Sequence, residues 1–407
     1  MPTSIKPWFI NPELITNFIV DLLLSELNSV RPGLPRKRLN TAILDIGESG
    51  LGADSLELIN LSTALARAVH MHESKLPDNF LMDTSLGAWI GITQRSLTIY
   101  SEKISFKTSG STGLSKYCQH NLENLEKEAT FLASVFVGRK RILRAVPSHH
   151  IYGFIFGILL PRHLDIEVVD VSGLSANTLN ANLKPGDLIL GFPEFWCAIS
   201  EANLEFENDV IGVNSTGPCL QEVGLSLLAL NLKSFFDVYG SSETAGVGWR
   251  NHPLNAYTLF PYWKKHPTEP QLIREDDPHT LTKLQDKLEW SSGIEFKVLG
   301  RNDDIVQVGG NNVSLHHVTQ ILQQYPLVKS ATVRLMRREE GTRLKAFVVP
   351  IKNGSETLTI EKLEEYLNTY LKTEERPKSI MIGDSLPINA LGKLCDWSIN
   401  FGSKLME

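Results

Sequence analysis

Lys107-Thr-Ser-Gly-Ser-Thr-Gly-Leu-Ser-Lys116 packs small, hydroxyl-bearing residues between two lysines. Gly110 and Gly113 let the backbone come close to a ligand and reach positive φ, and Thr108, Ser109, Ser111 and Thr112 add hydroxyl donors to the backbone amides. A run of this kind is suited to wrap a polyphosphate, with Lys116 supplying the counter-charge. The spacing excludes the Walker pattern, in which a Lys-Ser/Thr pair directly follows the last glycine; here Leu114 and Ser115 intervene before Lys116.

Outward from this loop, the chain to about residue 300 alternates strand-like and helical stretches. Apolar runs at 142–146, 166–169, 188–191, 210–214 and 235–238 read as strands, most of them followed by a helical pattern. Such alternation predicts a mostly parallel sheet covered by helices. Ligands then bind beyond the carboxyl ends of the strands, where Gly191-Phe-Pro, Asn214-Ser-Thr-Gly and Tyr239-Gly-Ser fall. The remainder reads as a smaller α+β unit. Ala331–Met336 and Leu344–Val349 form a hairpin across Gly341, and Leu363, Leu367 and Leu371 recur at helical spacing.

Three further segments follow the loop in order: Tyr239-Gly-Ser-Ser-Glu243, then Gly300-Arg-Asn-Asp-Asp304 with Val308-Gly-Gly310, then Pro387-Ile-Asn-Ala-Leu-Gly-Lys393. With these the chain resembles the adenylate-forming superfamily from about residue 104 to its end. That superfamily includes acyl-CoA and aryl-CoA ligases, nonribosomal-peptide adenylation domains and firefly luciferase. The resemblance implies that ATP and a carboxylic acid react to an acyl-adenylate with release of pyrophosphate. The acyl group then passes to a thiol, either coenzyme A or the phosphopantetheine of a carrier protein. It places Thr108–Lys116 on the β- and γ-phosphates, Ser242 at the α-phosphate where the family usually has Thr, and Glu243 on Mg²⁺. Tyr239, with Gly240 beside it, stacks on adenine. Asp286 and Arg301 hold the ribose, although the usual Thr-Gly before that aspartate is absent. Asp303 becomes the hinge of a mobile small domain. Lys393 becomes the catalytic lysine, a long-stemmed cation able to bridge the attacking carboxylate and the α-phosphate. Asp396 departs from the basic residue common just after that lysine. His150, in Pro147-Ser-His-His-Ile-Tyr-Gly153, matches the gate beside the acyl pocket, and Tyr152, Phe154, Phe192 and Trp196 would give that pocket flat apolar walls suited to an aryl acid.

Residues 1–100 read as helical and separate. Asn11 caps a helix that starts at Pro12 and carries Leu14, Phe18, Leu22 and Leu23, until Arg31-Pro-Gly33 stops it. A long loop then leads to Leu51-Gly-Ala-Asp-Ser-Leu56 and a second helix, and a last helix covers 85–97. The pattern resembles an acyl carrier protein, which implies a phosphopantetheine arm on Ser55. The alternative is that Asp54 or Ser55 simply caps the helix. Family members normally carry a much longer region before the phosphate loop. The expected organisation is thus multidomain: a carrier-like helical domain (1–100), a shortened α/β adenylation core with a mostly parallel sheet (101–300) and a small α+β domain (301–407).

The formal net charge of −6 over 407 residues leaves no basic footprint for nucleic acid. Cys118, Cys197, Cys219 and Cys395 lack paired spacing, so neither a disulfide framework nor a zinc site is expected. The longest apolar run, Ile151–Leu160, is too short to span a bilayer, and the amino-terminal residues lack a signal-peptide pattern. A cytoplasmic enzyme with no membrane partner is therefore expected. Competing readings are a nucleotide-binding regulatory or scaffold module, which needs neither Glu243 nor Lys393, and a luciferase-like oxygenase.

Overall fold

The computed structural model describes residues 5–31, 45–47, 49–108, 116–217, 219–269, 271–275, 281–301, 305–308, 311–337, 339–351, 358–388 and 394–399. The chain divides into two compact units, Met1–Lys265 with Ile273–Thr282 and Ser292–Glu295, and His266–Leu272 with Lys283–Ser291 and Phe296–Glu407.

The first unit opens with helix α1 (Pro12–Val30), whose amino terminus is capped as its sequence demands: the Asn11 side chain accepts from Glu13 and Leu14 N–H. Helices α2 (Ser55–Ala68), α3 (Met71–Ser74) and α4 (Leu86–Ile99) follow. The expected separation at residue 100 gives way to one continuous packing, because these helices and the α/β core share the first compact unit. Their large apolar side chains are used against that core. Trp8 and Phe18 meet Phe154 edge-on at 5.2 and 5.6 Å, and the His70 ring bonds the Ser105 hydroxyl at 2.9 Å.

Strands β1 (Lys103–Thr108) and β2 (Lys116–Asn121) form an antiparallel hairpin. Helix α5 (Leu122–Val135) then leads into the main sheet through β3 (Arg141–Arg144), β4 (Glu167–Asp170), β5 (Asp187–Gly191), β6 (Ile211–Asn214), β7 (Ser234–Ser241), β8 (Ala245–Arg250) and β9 (Tyr257–Leu259). All five expected strands are present and pair in parallel in the order β4-β3-β5-β6-β7, while β8 and β9 extend the sheet antiparallel. After β4 the chain returns to the other side of β3. The strand order therefore reverses between β3 and β5, and their carboxyl ends flank the crevice in which open α/β sheets bind ligands.

In the second unit, strands Val328–Leu335 and Leu344–Pro350 pair antiparallel, as the sequence predicts, and Pro377–Ile382 adds a parallel third strand. Helices Leu315–Gln323 and Ile360–Tyr370 bury Val318, Leu322, Leu363 and Leu367 in the same core as Val333, Ala346 and Val348.

Candidate active site

The stretch expected from the sequence to hold phosphate is the connection of the β1–β2 hairpin. Its two boundary residues, Thr108 and Lys116, are register partners, so the strand pairing fixes both ends of the loop side by side. Ser109, Gly110, Ser111, Thr112 and Gly113 lie outside the described residues. Lys116 is exposed. Lys107, by contrast, is paired with Glu26 of α1 at 2.6 Å.

The second site element is the turn joining β7 to β8. Tyr239 and Gly240 end β7, and a Cβ on Gly240 would lie 2.2 Å from the Ala245 carbonyl oxygen, so only glycine lets the two strands cross this closely. Ser241 and Thr244 brace the turn from both ends. Ser241 N–H donates to Thr244 Oγ1 at 3.0 Å, while the Ser241 hydroxyl accepts from the N–H groups of Glu243 and Thr244, both at 3.2 Å. Glu243 is thereby left exposed, and its carboxylate takes no hydrogen bond from a described residue.

His120 joins the two elements. Its Nε2 lies 2.6 Å from the Ser242 carbonyl oxygen, an acceptor only, so Nε2 carries the proton. Burial pushes the His120 pKa below the usual imidazole range, although the Ser242 carbonyl and the Glu243 charge oppose it. A neutral ring therefore clamps the β1–β2 hairpin to the Ser242-Glu243 turn.

Beneath Tyr239, the buried Asp237 accepts from Arg250 Nη2 at 2.7 Å, Asn214 Nδ2 at 2.8 Å and Tyr257 Oη at 2.5 Å. Burial pushes the Tyr257 hydroxyl well above its usual pKa, with the Asp237 charge adding to it, so it remains a donor. The Tyr257 ring sits 5.8 Å from that of Tyr239. Sequence reading missed this network, although an acid inside the apolar Phe235-Phe-Asp-Val238 is a signal that partners must exist.

At the crevice between β3 and β5 stands Pro147-Ser-His-His-Ile-Tyr-Gly153. His150 caps the short helix α6 (Ile151–Phe154), its carbonyl accepting from Phe154 N–H at 2.7 Å. The His149 and His150 rings lie 4.1 Å apart. A Cβ on Gly153 would meet the Pro147 carbonyl at 2.0 Å, so glycine is what lets this loop fold back onto its own helix. Two expected walls of the acid pocket are not available. Phe154 and Trp196 are fully buried, one among Trp8, Phe18 and Phe106 and the other against Phe195 and Phe235. The unit spends both rings on its core, whereas Phe192 remains half-buried.

In the second unit, Asp286 and Arg301 occupy opposite positions of an antiparallel pair, Asp286–Trp290 with Glu295–Arg301. The backbone thus brings together the two residues assigned to the ribose. Asp303 and Lys393 lie outside the described residues, but the segment flanking Lys393 is firmly held. Ile388 and Leu394 form a β-bridge, Cys395 N–H donates to the Pro387 carbonyl at 2.6 Å, and Arg334 donates to the Leu394 carbonyl at 2.8 Å. Lys345, fully buried, is paired with Glu340 at 2.6 Å and Asp396 at 2.9 Å, and donates to the Trp397 carbonyl at 2.6 Å. Burial raises the Asp396 pKa, but Lys345 and Arg337 outweigh it and hold the carboxyl below its usual range. The residue that breaks the family pattern at this point is thus a structural anchor.

Ser55 is exposed at the first position of α2. Asp54 is the cap, and it forms a reciprocal capping box with Glu57. Among the described residues no group of three His, Cys, Asp or Glu could hold a metal ion, and no helix is long and apolar enough to cross a membrane.

Residues 317–393 match the AMP-binding enzyme C-terminal domain family. A 4-coumarate–CoA ligase of Cereibacter sphaeroides is 34% identical over 360 residues, 86% of this chain and 85% of that one. A second 4-coumarate–CoA ligase, from Rhodobacter capsulatus, is 30% identical over 393 residues, 94% of this chain and 100% of its own. Among solved structures, ATP-bound MatB from Rhodopseudomonas palustris shares the fold with a TM-score of 0.60 at 16% identity, over 94% of this chain and 91% of that one.

Proposed function

Since this chain belongs to the adenylate-forming superfamily and is an AMP-forming acid–thiol ligase, we propose that it activates an aryl carboxylic acid of the hydroxycinnamate type and transfers it to coenzyme A. The relatives named above support the acid class and the acceptor. The geometric observation that carries the reading is the His120 clamp, which joins β2, the strand that begins at Lys116, to the Ser242-Glu243 turn.

In the first half-reaction an acid carboxylate oxygen attacks the α-phosphorus of ATP, and pyrophosphate leaves. Thr108–Lys116 hold the β- and γ-phosphates, with Lys116 neutralising charge, and Ser242 bonds the α-phosphate. Mg²⁺ supplies electrostatic stabilisation of the departing pyrophosphate when bound. Glu243, exposed at the turn, would hold that cation together with phosphate oxygens. Tyr239 and Gly240 receive adenine, Asp286 and Arg301 the ribose, and His150 gates the acid. Lys393 places its charge where negative charge develops, on the carboxylate and α-phosphate oxygens. In the second half-reaction the thiolate attacks the acyl carbon and AMP leaves. Asp303 is the hinge through which the small domain exchanges one task for the other.

A phosphopantetheine on Ser55 is a second acceptor reading. Its support is the exposure of Ser55 at a helix start, but the capping role of Asp54 accounts for the motif without it. The experiment is exchange of labelled pyrophosphate into ATP across a panel of aryl, aliphatic and amino acids, with intact-mass analysis after exposure to a phosphopantetheinyl transferase. Aryl-acid-dependent exchange with no mass gain supports the proposal. Exchange restricted to aliphatic or amino acids overturns the acid class, and acyl loading of a modified Ser55 overturns the acceptor.

A further inference from the structure

The loop carrying His149 and His150 is held from outside the α/β core, by a carboxylate of the amino-terminal helix. Asp21 of α1 accepts from Ser148 N–H and from the Ser148 hydroxyl, both at 2.6 Å. It also pairs with Arg144 Nη1 at the end of β3. The Ser148 side chain is fully buried and Arg144 is 3% exposed, so these donors have no water to replace a lost acceptor. Arg144 completes its fork on the Val146 carbonyl at 2.8 Å and on Asp170 at 2.9 Å. Asp21 thus closes a polar knot around Arg144, Val146 and Ser148, the residues that carry the chain from β3 to the two histidines.

Trp8, Phe18 and Phe154 pack edge-on against one another immediately beside this loop. Phe154 belongs to α6, the helix capped by His150. A helical segment joined in this way by a buried ion pair and an aromatic cluster cannot swing as a free carrier without exposing Arg144, Ser148 and Phe154. It acts instead as a fixed wall behind the loop.

We propose that Asp21 is a positioning residue for the carboxylic acid: it holds Ser148 so that His150 keeps its place at the crevice between β3 and β5. This rests on the reading of His150 as the acid gate. Arg144 Nη1 and both Ser148 donors converge on the single oxygen Oδ2 of Asp21, so asparagine at position 21 must either turn its amide nitrogen toward all three donors or keep its oxygen there and lose the charge that holds the buried Arg144 guanidinium, and either way the knot loosens. A buried donor left unpaired drives local rearrangement, and a displacement near 1 Å at a reacting group suffices to lose an order of magnitude or more.

The test uses the full chain with Asp21→Asn, Asp21→Glu, Ser148→Ala, His150→Ala and Arg162→Ala. Arg162 ties the same amino-terminal segment to the core through the Lys6 carbonyl, at 3.0 Å, away from the histidine loop. It therefore reports a purely structural attachment. Acid and ATP dependences are measured separately by pyrophosphate exchange, and histidine ring signals are recorded by NMR on the substrate-free protein. Asp21→Asn should raise the KM for the acid about tenfold, leave the KM for ATP within about twofold, and shift the histidine signals. Asp21→Glu should recover part of the loss, Ser148→Ala should show a smaller shift in the same direction, and Arg162→Ala should lower the melting temperature without changing the acid KM. Should Asp21→Asn fail to fold, Ser148→Ala alone decides, because it removes only one of the bonds to Asp21. An unchanged acid KM in folded Asp21→Asn beside a raised one in His150→Ala overturns the positioning role and leaves the gate standing. If His150→Ala is itself silent, the gate reading falls and this proposal falls with it.

Discussion

Replacing Glu128 by glutamine should flatten the pH dependence of stability between pH 4.5 and 7. Glu128 lies on α5, 2% exposed, where its carboxylate accepts from Gly246 N–H at 3.1 Å. Gly246 is the register partner of Gly240, so this acid props the hairpin that presents Glu243. Burial drives its pKa from 4.5 up to about 7, with Tyr262, Gly246 and Arg274 pulling it partly back. Between those two values the folded chain keeps a proton that the unfolded chain has released. Stability consequently falls as pH rises through the window, being highest below 4.5 and having lost the whole contribution above about 7. At about 1.4 kcal/mol for each step in pH, the loss sums to roughly 3 kcal/mol. Glutamine keeps an oxygen for Gly246 N–H and cannot ionise, so across this window the wild type should lose roughly 3 kcal/mol relative to Glu128→Gln as pH rises. Urea unfolding followed by tryptophan fluorescence at half-unit steps from pH 4.5 to 8 measures both. Parallel curves across the window would refute the assignment of a buried, proton-holding carboxyl.

Lys393→Ala should lower acyl-adenylate formation at least about a hundredfold without unfolding the protein, as expected when one preorganised charge is removed; single-turnover pyrophosphate release reads it. If Glu243 holds Mg²⁺ as proposed, Glu243→Gln should shift the Mg²⁺ titration of turnover to higher concentration while leaving adenosine binding within about twofold. Lys345→Met leaves the buried side chain of Glu340 to the N–H groups of Arg337 and Ile399 and leaves Asp396 to Arg337, and should cost about 3 kcal/mol of small-unit stability, measured by urea unfolding. It should also slow adenylation, because the chain on the carboxyl side of Lys393 loses its anchor.

Local chemistry made much of this fold readable. The Asn11-Pro12 start of α1, the cap of α4 at Ser85 and the five parallel strands each announce themselves within a few residues, through capping preferences and apolar runs. The candidate site could be proposed from short motifs for the same reason, since tight turns such as the one after Gly240 need glycine and hydroxyls in fixed order. What sequence could not show is pairing over long separations. Asp21 and Ser148 stand 127 positions apart, and Glu128 and Gly246 118; neither pair leaves a periodic trace. The same blindness made the amino-terminal helices read as a separate carrier, because amphipathic spacing shows that a face is buried but not against what. Phe154 and Trp196 illustrate the converse: aromatic residues near a binding motif read as pocket walls until the structure shows them packed into the core.

The central claim is that one chain both adenylates an aryl acid and hands it to coenzyme A. Incubation with ATP, Mg²⁺, 4-coumarate and coenzyme A, followed by chromatographic quantitation, tests it most directly. AMP, pyrophosphate and 4-coumaroyl thioester should form in equal amounts, with all three lost in Lys393→Ala. Release of ADP, or AMP formation without any aryl thioester, would contradict it.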